Sequence, residues 1–219
     1  MPLTVSPSVL FFDLDDTLYA NQSGLWQAIR DRMRLYMIER MGFPEKDVDV
    51  LRHRYYVTYG TTLRGLLVNY PERTDIEDYL AFVHDIPLQE YIQPNPSLRS
   101  ILLSLPQKRW VFTNSDEKHA HRVMDILGLE DCFQGLIDIR ALEFACKPVE
   151  EAYRRALSFA GESHPERCIL FDDSPRNLAP ARSLGFYTVL VGSNKPDPSA
   201  CQSIASLNDL PKSMPELWK

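Results

Sequence analysis

The stretch Val9-Leu10-Phe11-Phe12-Asp13-Leu14-Asp15-Asp16-Thr17-Leu18 sets an apolar, β-rich run directly against three acids within four residues. Hydrophobic strands do not ordinarily end this way, because clustered carboxylates repel one another and are costly to desolvate. In an extended chain residues 13 and 15 point to the same side, so both carboxylates can face one ligand at the strand's end. One can then act as a nucleophile while its neighbour holds a proton, provided their surroundings push the two pKa values apart. Taken alone, the same residues also fit a solvated acidic turn that caps the next helix.

Working outward, three more short apolar runs end in polar or turn residues: 110–112 before Thr113, 168–171 before Asp172, and 188–191 before Gly192. Runs of this length followed by turn residues predict buried strands of a parallel sheet. Between them, 116–127, 148–160 and 175–184 alternate apolar and polar residues at helix spacing, with Gly128 and Gly185 as stops. The pattern is α/β, a Rossmann-like doubly wound parallel sheet, and ligands of such sheets collect at the carboxyl ends of the strands.

One stretch breaks the alternation. Residues 23–93 hold no strand-like run. Trp26, Ile29, Met33, Tyr36, Met37 and Met41 line one helix face closed by Gly42; further helices are predicted over 45–59, after Gly60 toward Pro71, and over 75–83. The reading is an α/β core of residues 1–22 and 94–219 with an all-helical cap of residues 23–93 inserted behind the first strand. The turn-rich tail after Pro196 is expected to pack only through Ile204, Leu207, Leu210, Leu217 and Trp218.

The other strand ends carry chemistry too. Phe112-Thr113-Asn114-Ser115-Asp116 offers a hydroxyl and backbone N–H groups at a strand-to-helix turn, where an anion can sit. Cys146-Lys147-Pro148 puts a lysine before a proline that would open a helix, and Phe171-Asp172-Asp173-Ser174 repeats the strand-then-acids pattern. Each is ordinary by itself; the four in this order are not.

Composition limits the alternatives. The 219 residues are 44% hydrophobic and 25% charged, enough apolar material for a sizeable core. A net charge of −6 has the wrong sign for binding a long nucleic acid. Cys132, Cys146, Cys168 and Cys201 show neither C-x-x-C nor metal-ligand spacing and read as free thiols in a reducing compartment. The start, Met1-Pro2-Leu3-Thr4-Val5, has no basic region, and the first apolar run stops at Asp13. That is too short for a signal peptide or a membrane span, so the expectation is a cytoplasmic protein with no membrane partner.

With these motifs in place, nearly the whole chain resembles the haloacid dehalogenase-like (HAD) hydrolase superfamily, in its helical-cap phosphatase branch. The family's D-x-D-x-T stands here as Asp13-Leu14-Asp15-Asp16-Thr17, its strand-end Thr/Ser as Thr113, its lysine as Lys147 and its closing acidic pair as Asp172-Asp173. Asp16 occupies a position where Gly is common in the family. The resemblance implies that Asp13 attacks phosphorus to form an aspartyl-phosphate, and that Asp15 protonates the leaving alkoxide and then activates water. It also implies Mg²⁺ on Asp13, the backbone carbonyl of Asp15, and Asp172, with Asp173 behind the cation or paired with Lys147. Thr113 and the N–H of Asn114 would hold phosphate oxygens, with Lys147 offsetting charge. The halide-releasing branch typically lacks the second acid, so Asp15 argues against it.

Of ten tyrosines, seven lie in the insertion: Tyr36, Tyr55, Tyr56, Tyr59, Tyr70, Tyr79 and Tyr91. Their rings suit either stacking on a base or sugar, or packing of the cap helices. The run Tyr55-Tyr56-Val57-Thr58-Tyr59-Gly60-Thr61-Thr62-Leu63-Arg64-Gly65-Leu66 looks like the Y-x-x-Y-G-x-x-x-R-G-L stretch of pyrimidine 5′-nucleotidase-type members. It implies that Gly60 breaks a helix, Thr61 and Thr62 cap the next, and Tyr59 and Arg64 recognise substrate. The expected function is a Mg²⁺-dependent phosphomonoesterase acting on pyrimidine nucleoside 5′-monophosphates or similar small phosphorylated metabolites. A sugar-phosphate or phosphoglycolate-type phosphatase, or a silent phosphate-sensing module on the same fold, are the alternatives. Trp26 and Met41 could pack internally or form a dimer face, which leaves a monomer or a homodimer.

Overall fold

The structure, a computed structural model, describes residues 3, 5–20 and 22–219. The N-terminal stretch read above for charge includes Met1, Pro2 and Thr4, which lie outside them. The chain divides into two compact units, Met1–Ser23 with Ile92–Lys219, and Gly24–Tyr91. In chain order the first unit opens with β1 (Val9–Phe12). The second holds α1 (Leu25–Glu39), α2 (Glu45–Tyr59), α3 (Thr62–Asn69) and α4 (Ile76–Val83). The chain then returns through α5 (Pro96–Ser104), β2 (Lys108–Phe112), α6 (Glu117–Leu127), β3 (Gly135–Ile137) and α7 (Glu150–Ala160). It ends with β4 (Cys168–Asp172), α8 (Pro175–Ser183), β5 (Tyr187–Val191), β6 (Gln202–Ile204) and short helical turns.

The sheet order is β3-β2-β1-β4-β5-β6, and every pairing is parallel. This is the doubly wound α/β fold. The chain leaves β1 toward β2 and later returns to its other side as β4, so the crevice at the strand ends opens beside β1. β1 is buried on both faces, which explains its unbroken apolar sequence. Phe11 meets Phe112 and Phe186, each at 6.0 Å between ring centroids, on one side, while Phe12 stacks on Phe171 at 4.7 Å. Each such ring taken fully out of water contributes roughly 1.5–3 kcal/mol. The central strand is therefore a fixed platform for the residues that follow it.

Two strands escape the periodicity argument. β3 has only three residues and opens with Gly135, where an added Cβ would come within 2.3 Å of the Trp110 ring. The glycine is there so that the indole of β2 can cross it, and a glycine weakens any strand signal. The tail does more than pack its apolar residues: 202–204 adds the sixth strand, and Trp218 donates its indole N–H to Ser104 Oγ at 2.9 Å.

In the helical unit, α2 ends at Gly60, whose φ of 93° is open to glycine. Thr61 then caps α3 by accepting from the Arg64 N–H at 3.1 Å, while Thr62 is already inside the helix and buried. Gly65 lets α3 lie against α2, because a Cβ there would fall 2.3 Å from Tyr55 Cβ. Tyr36, Tyr55 and Tyr79 are buried, with Tyr36 edge-on to Tyr79 at 5.0 Å. These three rings are packing residues, so the tyrosine enrichment is in part the core of this unit. Met41 is buried just past the end of α1, whereas Trp26 and Met33 are half-buried. No helix among the described residues is long and apolar enough to cross a membrane.

Candidate active site

The carboxyl ends of β1, β2 and β4 converge. Asp13 follows β1, and its N–H donates to Phe171 O at 2.8 Å, which ties the first acid to β4. Asp172 is the last residue of β4, and Thr113 is the first after β2. Lys147, preceding a cis Lys147–Pro148 bond at the head of α7, reaches in from the side with no solvent exposure. Its Nζ donates to Asp13 Oδ1 at 2.7 Å, Asp172 Oδ2 at 2.7 Å and Phe112 O at 2.8 Å. All three ammonium protons are used, which is what a buried lysine requires. Burial alone would lower the lysine's pKa, but Asp13 and Asp172 outweigh it and hold the group charged.

Carboxylate oxygens of Asp13, Asp172 and Asp173 lie within 4.8 Å of one another. Asp173 offers one oxygen to this group, and it is not the partner of Lys147, whose protons go to Asp13, Asp172 and Phe112 O. Asp172 Oδ1 accepts from Ser174 N–H at 2.9 Å and from Asn177 Nδ2 at 3.0 Å, which fixes the turn between β4 and α8. Burial, reinforced by Asp172, pushes Asp13 up to about 7 against the opposing pull of Lys147. Burial, then the charges of Asp172, Asp13 and Asp16, push Asp173 up to about 9. One ammonium thus faces three carboxylates. A hard divalent cation with oxygen ligands fits this donor set and its surplus negative charge.

Asp15 stands apart from that cluster. Its Oδ1 accepts from Tyr19 Oη at 2.8 Å and lies 2.9 Å from His119 Nε2, and its Oδ2 accepts from Ser115 Oγ at 2.5 Å. Burial would raise its pKa, but His119, Ser115 and Tyr19 together hold it below the ordinary carboxylate range. Burial and the Asp15 charge push the Tyr19 hydroxyl well above the usual phenol value, so it remains a donor. In the metal-free protein two neighbouring carboxyls are therefore driven apart, Asp13 toward its neutral form by burial and Asp15 toward its ionised form by its three donors. Asp16 adopts a φ of 60°, the left-handed region that glycine enters freely and Asp tolerates, which is why the turn accepts either residue.

The turn after β2 carries hydrogen-bond donors that the described residues leave unspent. Thr113 Oγ1 accepts from Ser115 N–H at 3.0 Å, which leaves the hydroxyl proton to donate. The Asn114 side chain is spent on the Lys147 backbone, donating to its O at 2.9 Å and accepting from its N–H at 2.8 Å. The Asn114 N–H makes no hydrogen bond among the described residues. Asp138, at the end of β3, holds the start of α6 by accepting from Glu117 N–H at 3.0 Å. Tyr59 and Arg64 belong to the helical unit; one terminal Arg64 nitrogen is buried without a partner among the described residues.

Sequence reasoning missed Tyr19, Ser115, His119 and Asn177. A signal existed for two of them: Tyr19 lies four residues past Asp15 in a tight turn, and Asn177 sits in the first turn of α8, five past Asp172. His119 reads as a helix-interior residue beside Ala120 and Val123, and nothing in that spacing announces a partner 104 residues away.

An open parallel sheet whose central strand ends in paired aspartates, with a buried lysine and a second acidic strand end beside it, defines a hydrolase of the haloacid dehalogenase type. The chain belongs to that family: the haloacid dehalogenase-like hydrolase model matches residues 7–185. It is 31% identical to Phosphate metabolism protein 8 of Saccharomyces cerevisiae over 83% of this chain, and it spans 60% of the yeast protein's length. Among solved structures, a HAD-hydrolase, YfnB, of Bacillus subtilis bound to magnesium matches at 18% identity with a TM-score of 0.62, covering 95% of this chain and 98% of that one. An L-2-haloacid dehalogenase of Xanthobacter autotrophicus matches at 16% identity with a TM-score of 0.59, covering 94% and 97%. At these identities the two structures are similar in fold.

Proposed function

We propose that this hydrolase is a Mg²⁺-dependent phosphomonoesterase that works through an aspartyl-phosphate on Asp13, with a nucleoside 5′-monophosphate, pyrimidine above all, as its substrate. The observation that carries the reading is the pair Asp13 and Asp15: one carboxyl beside a cation-competent cluster, the other held by three donors and free of that cluster. An ester whose leaving group must be protonated needs that second acid, and a halide does not.

Asp13 forms a bond to phosphorus as the ester P–O bond breaks, and the departing alkoxide takes a proton from Asp15, which first gains that proton from solvent or from the bound phosphate because its surroundings hold it ionised. Water then adds to phosphorus, its proton goes to Asp15, and the Asp13–phosphorus bond breaks. A carboxylate approaching a phosphate meets a repulsion of about 1 kcal/mol per charge pair at 4 Å in water, and several times that in a drier site. Magnesium on Asp13, Asp172 and Asp173, with the Asp15 backbone carbonyl, supplies the opposing charge when bound. Lys147 adds to it, while Thr113 Oγ and the Asn114 N–H take phosphate oxygens.

In the helical unit Arg64 and Tyr59 recognise the nucleotide. Support comes from the Tyr59-Gly60 to Arg64-Gly65 match to pyrimidine nucleotidase-type sequences and from the unspent Arg64 nitrogen. The name of the yeast relative fits phosphate chemistry. The test is phosphate release from pyrimidine and purine 5′-monophosphates, hexose phosphates, phosphoglycolate and nitrophenyl phosphate, with Mg²⁺ and then with chelator. Turnover of pyrimidine monophosphates that stops with chelator is expected; no turnover of any ester ends the phosphatase reading.

A further inference from the structure

Asp15 has to give and take a proton, yet two of the groups that touch it come from α6 and the turn before it. His119 has no exposed side-chain surface, and its Nε2 lies 2.9 Å from Asp15 Oδ1, where Tyr19 Oη also donates. Ser115 takes one site on Oδ2. An ionised carboxylate offers about four lone-pair sites. Among the described residues both sites of Oδ1 are filled and one place is left, on Oδ2 beside Ser115. The helix that brings His119 in is itself fixed: Asp138 holds the Glu117 N–H, and Ser115 O accepts from the Ile139 N–H at 3.0 Å.

We propose that His119 is the positioning residue of the acid–base step: by occupying Oδ1 from a rigid helix, it aims Oδ2 of Asp15 at the leaving oxygen and makes Oδ2 the atom that exchanges the proton. This rests on the phosphatase reading and deepens it. His119 touches no reacting atom. It works through Asp15, whose carboxylate rotates out of line when one of the two Oδ1 donors is lost.

The consequence is selective. Protonation of the leaving group matters for an alkoxide and hardly matters for a nitrophenolate, which departs unprotonated. The value of kcat/KM covers phosphoryl transfer and leaving-group release, so it reads this step apart from hydrolysis of the aspartyl-phosphate. The experiment measures kcat/KM for wild type, His119→Ala and His119→Gln on a series from nitrophenyl phosphate through phenyl phosphate to alkyl phosphates, with thermal midpoints with and without Mg²⁺ recorded for each protein. For His119→Ala a loss of roughly 10²-fold is expected on alkyl esters, the lower end for an acid–base group, with little loss on nitrophenyl phosphate. The dependence on leaving-group pKa becomes steeper. His119→Gln, whose amide can donate from a similar reach, recovers part of the alkyl loss, and the Mg²⁺-induced rise in midpoint is the same in all three.

An equal loss on every ester, or no loss on any, overturns the assignment while leaving the phosphatase reading intact. If His119→Ala does not fold, the glutamine variant carries the decision: a leaving-group slope steeper than wild type supports the assignment, and a wild-type slope overturns it. Wild type that turns over no ester overturns both readings together.

Discussion

Lys147 and Asp172 meet at 2.7 Å with neither side chain exposed to solvent. The same ammonium meets Asp13 at 2.7 Å, so one buried cation joins two strand ends that the chain separates by 159 residues of sequence. Removing one member of a buried ion pair costs about 3–5 kcal/mol, because the partner charge is stranded. Lys147→Met is expected to lower the urea midpoint of the metal-free protein accordingly and to abolish turnover. An unchanged midpoint would show that the lysine is not needed to hold the two acids together.

Stability should depend on pH in a direction set by those acids. Asp13 and Asp173 sit at about 7 and about 9 when folded, against 3.8 for an ordinary Asp. Between these values the folded chain binds more protons than the unfolded chain, so their contribution falls as pH rises through that window and levels off above about 9. Asp15 works oppositely: its folded value is depressed, so its contribution is present above 3.8 and is lost on acidification below it. The thermal midpoint without metal should therefore decline from mildly acidic to mildly alkaline pH. Magnesium, binding the deprotonated acids, should raise it most at the alkaline end. A Mg²⁺ effect that is largest in acid would contradict this.

Asp15→Asn keeps the shape but turns one of the two accepting oxygens into a donating NH2, and it cannot exchange a proton. Turnover of alkyl phosphomonoesters is expected to fall by at least about 10²-fold, with a lower thermal midpoint at neutral pH because the charge that His119, Ser115 and Tyr19 stabilise is gone. Wild-type rates would remove Asp15 from the acid–base role.

Two neighbouring residues of the helical unit should separate packing from recognition. Gly65→Ala forces a Cβ to within 2.3 Å of Tyr55 Cβ, and overpacking of this kind costs about 1–3 kcal/mol. It should lower the midpoint. Arg64→Ala should leave the midpoint alone and raise KM for nucleotides more than for nitrophenyl phosphate. Equal effects on both substrates would take Arg64 out of nucleotide recognition.

The sequence was legible where one physical cause dominated. The 45–59 helix and its stop at Gly60 follow from periodicity and a left-handed turn, and 168–171 differs from β4 only by the closing Asp172. Legibility failed where pairing was non-local. β3 carries a glycine because of Trp110, and 202–204 becomes a strand only because β5 offers it an edge. The same holds at the acids: the apolar run ending in Asp13 and Asp15 is visible, but the Tyr19, Ser115 and His119 donors that depress Asp15 come together only in three dimensions. The tyrosine-rich insertion pointed at a ligand, and three of its rings proved to be core.

The central claim is that Asp13 becomes covalently phosphorylated. The direct measurement is acid quenching of the enzyme in the first turnovers of a phosphomonoester with Mg²⁺, followed by peptide mass mapping. The account predicts a phosphoryl adduct on the peptide containing Asp13, absent from Asp13→Asn and accumulating in Asp15→Asn with nitrophenyl phosphate, whose leaving group needs no proton. Full turnover with no adduct, or with the adduct on a different residue, would contradict it.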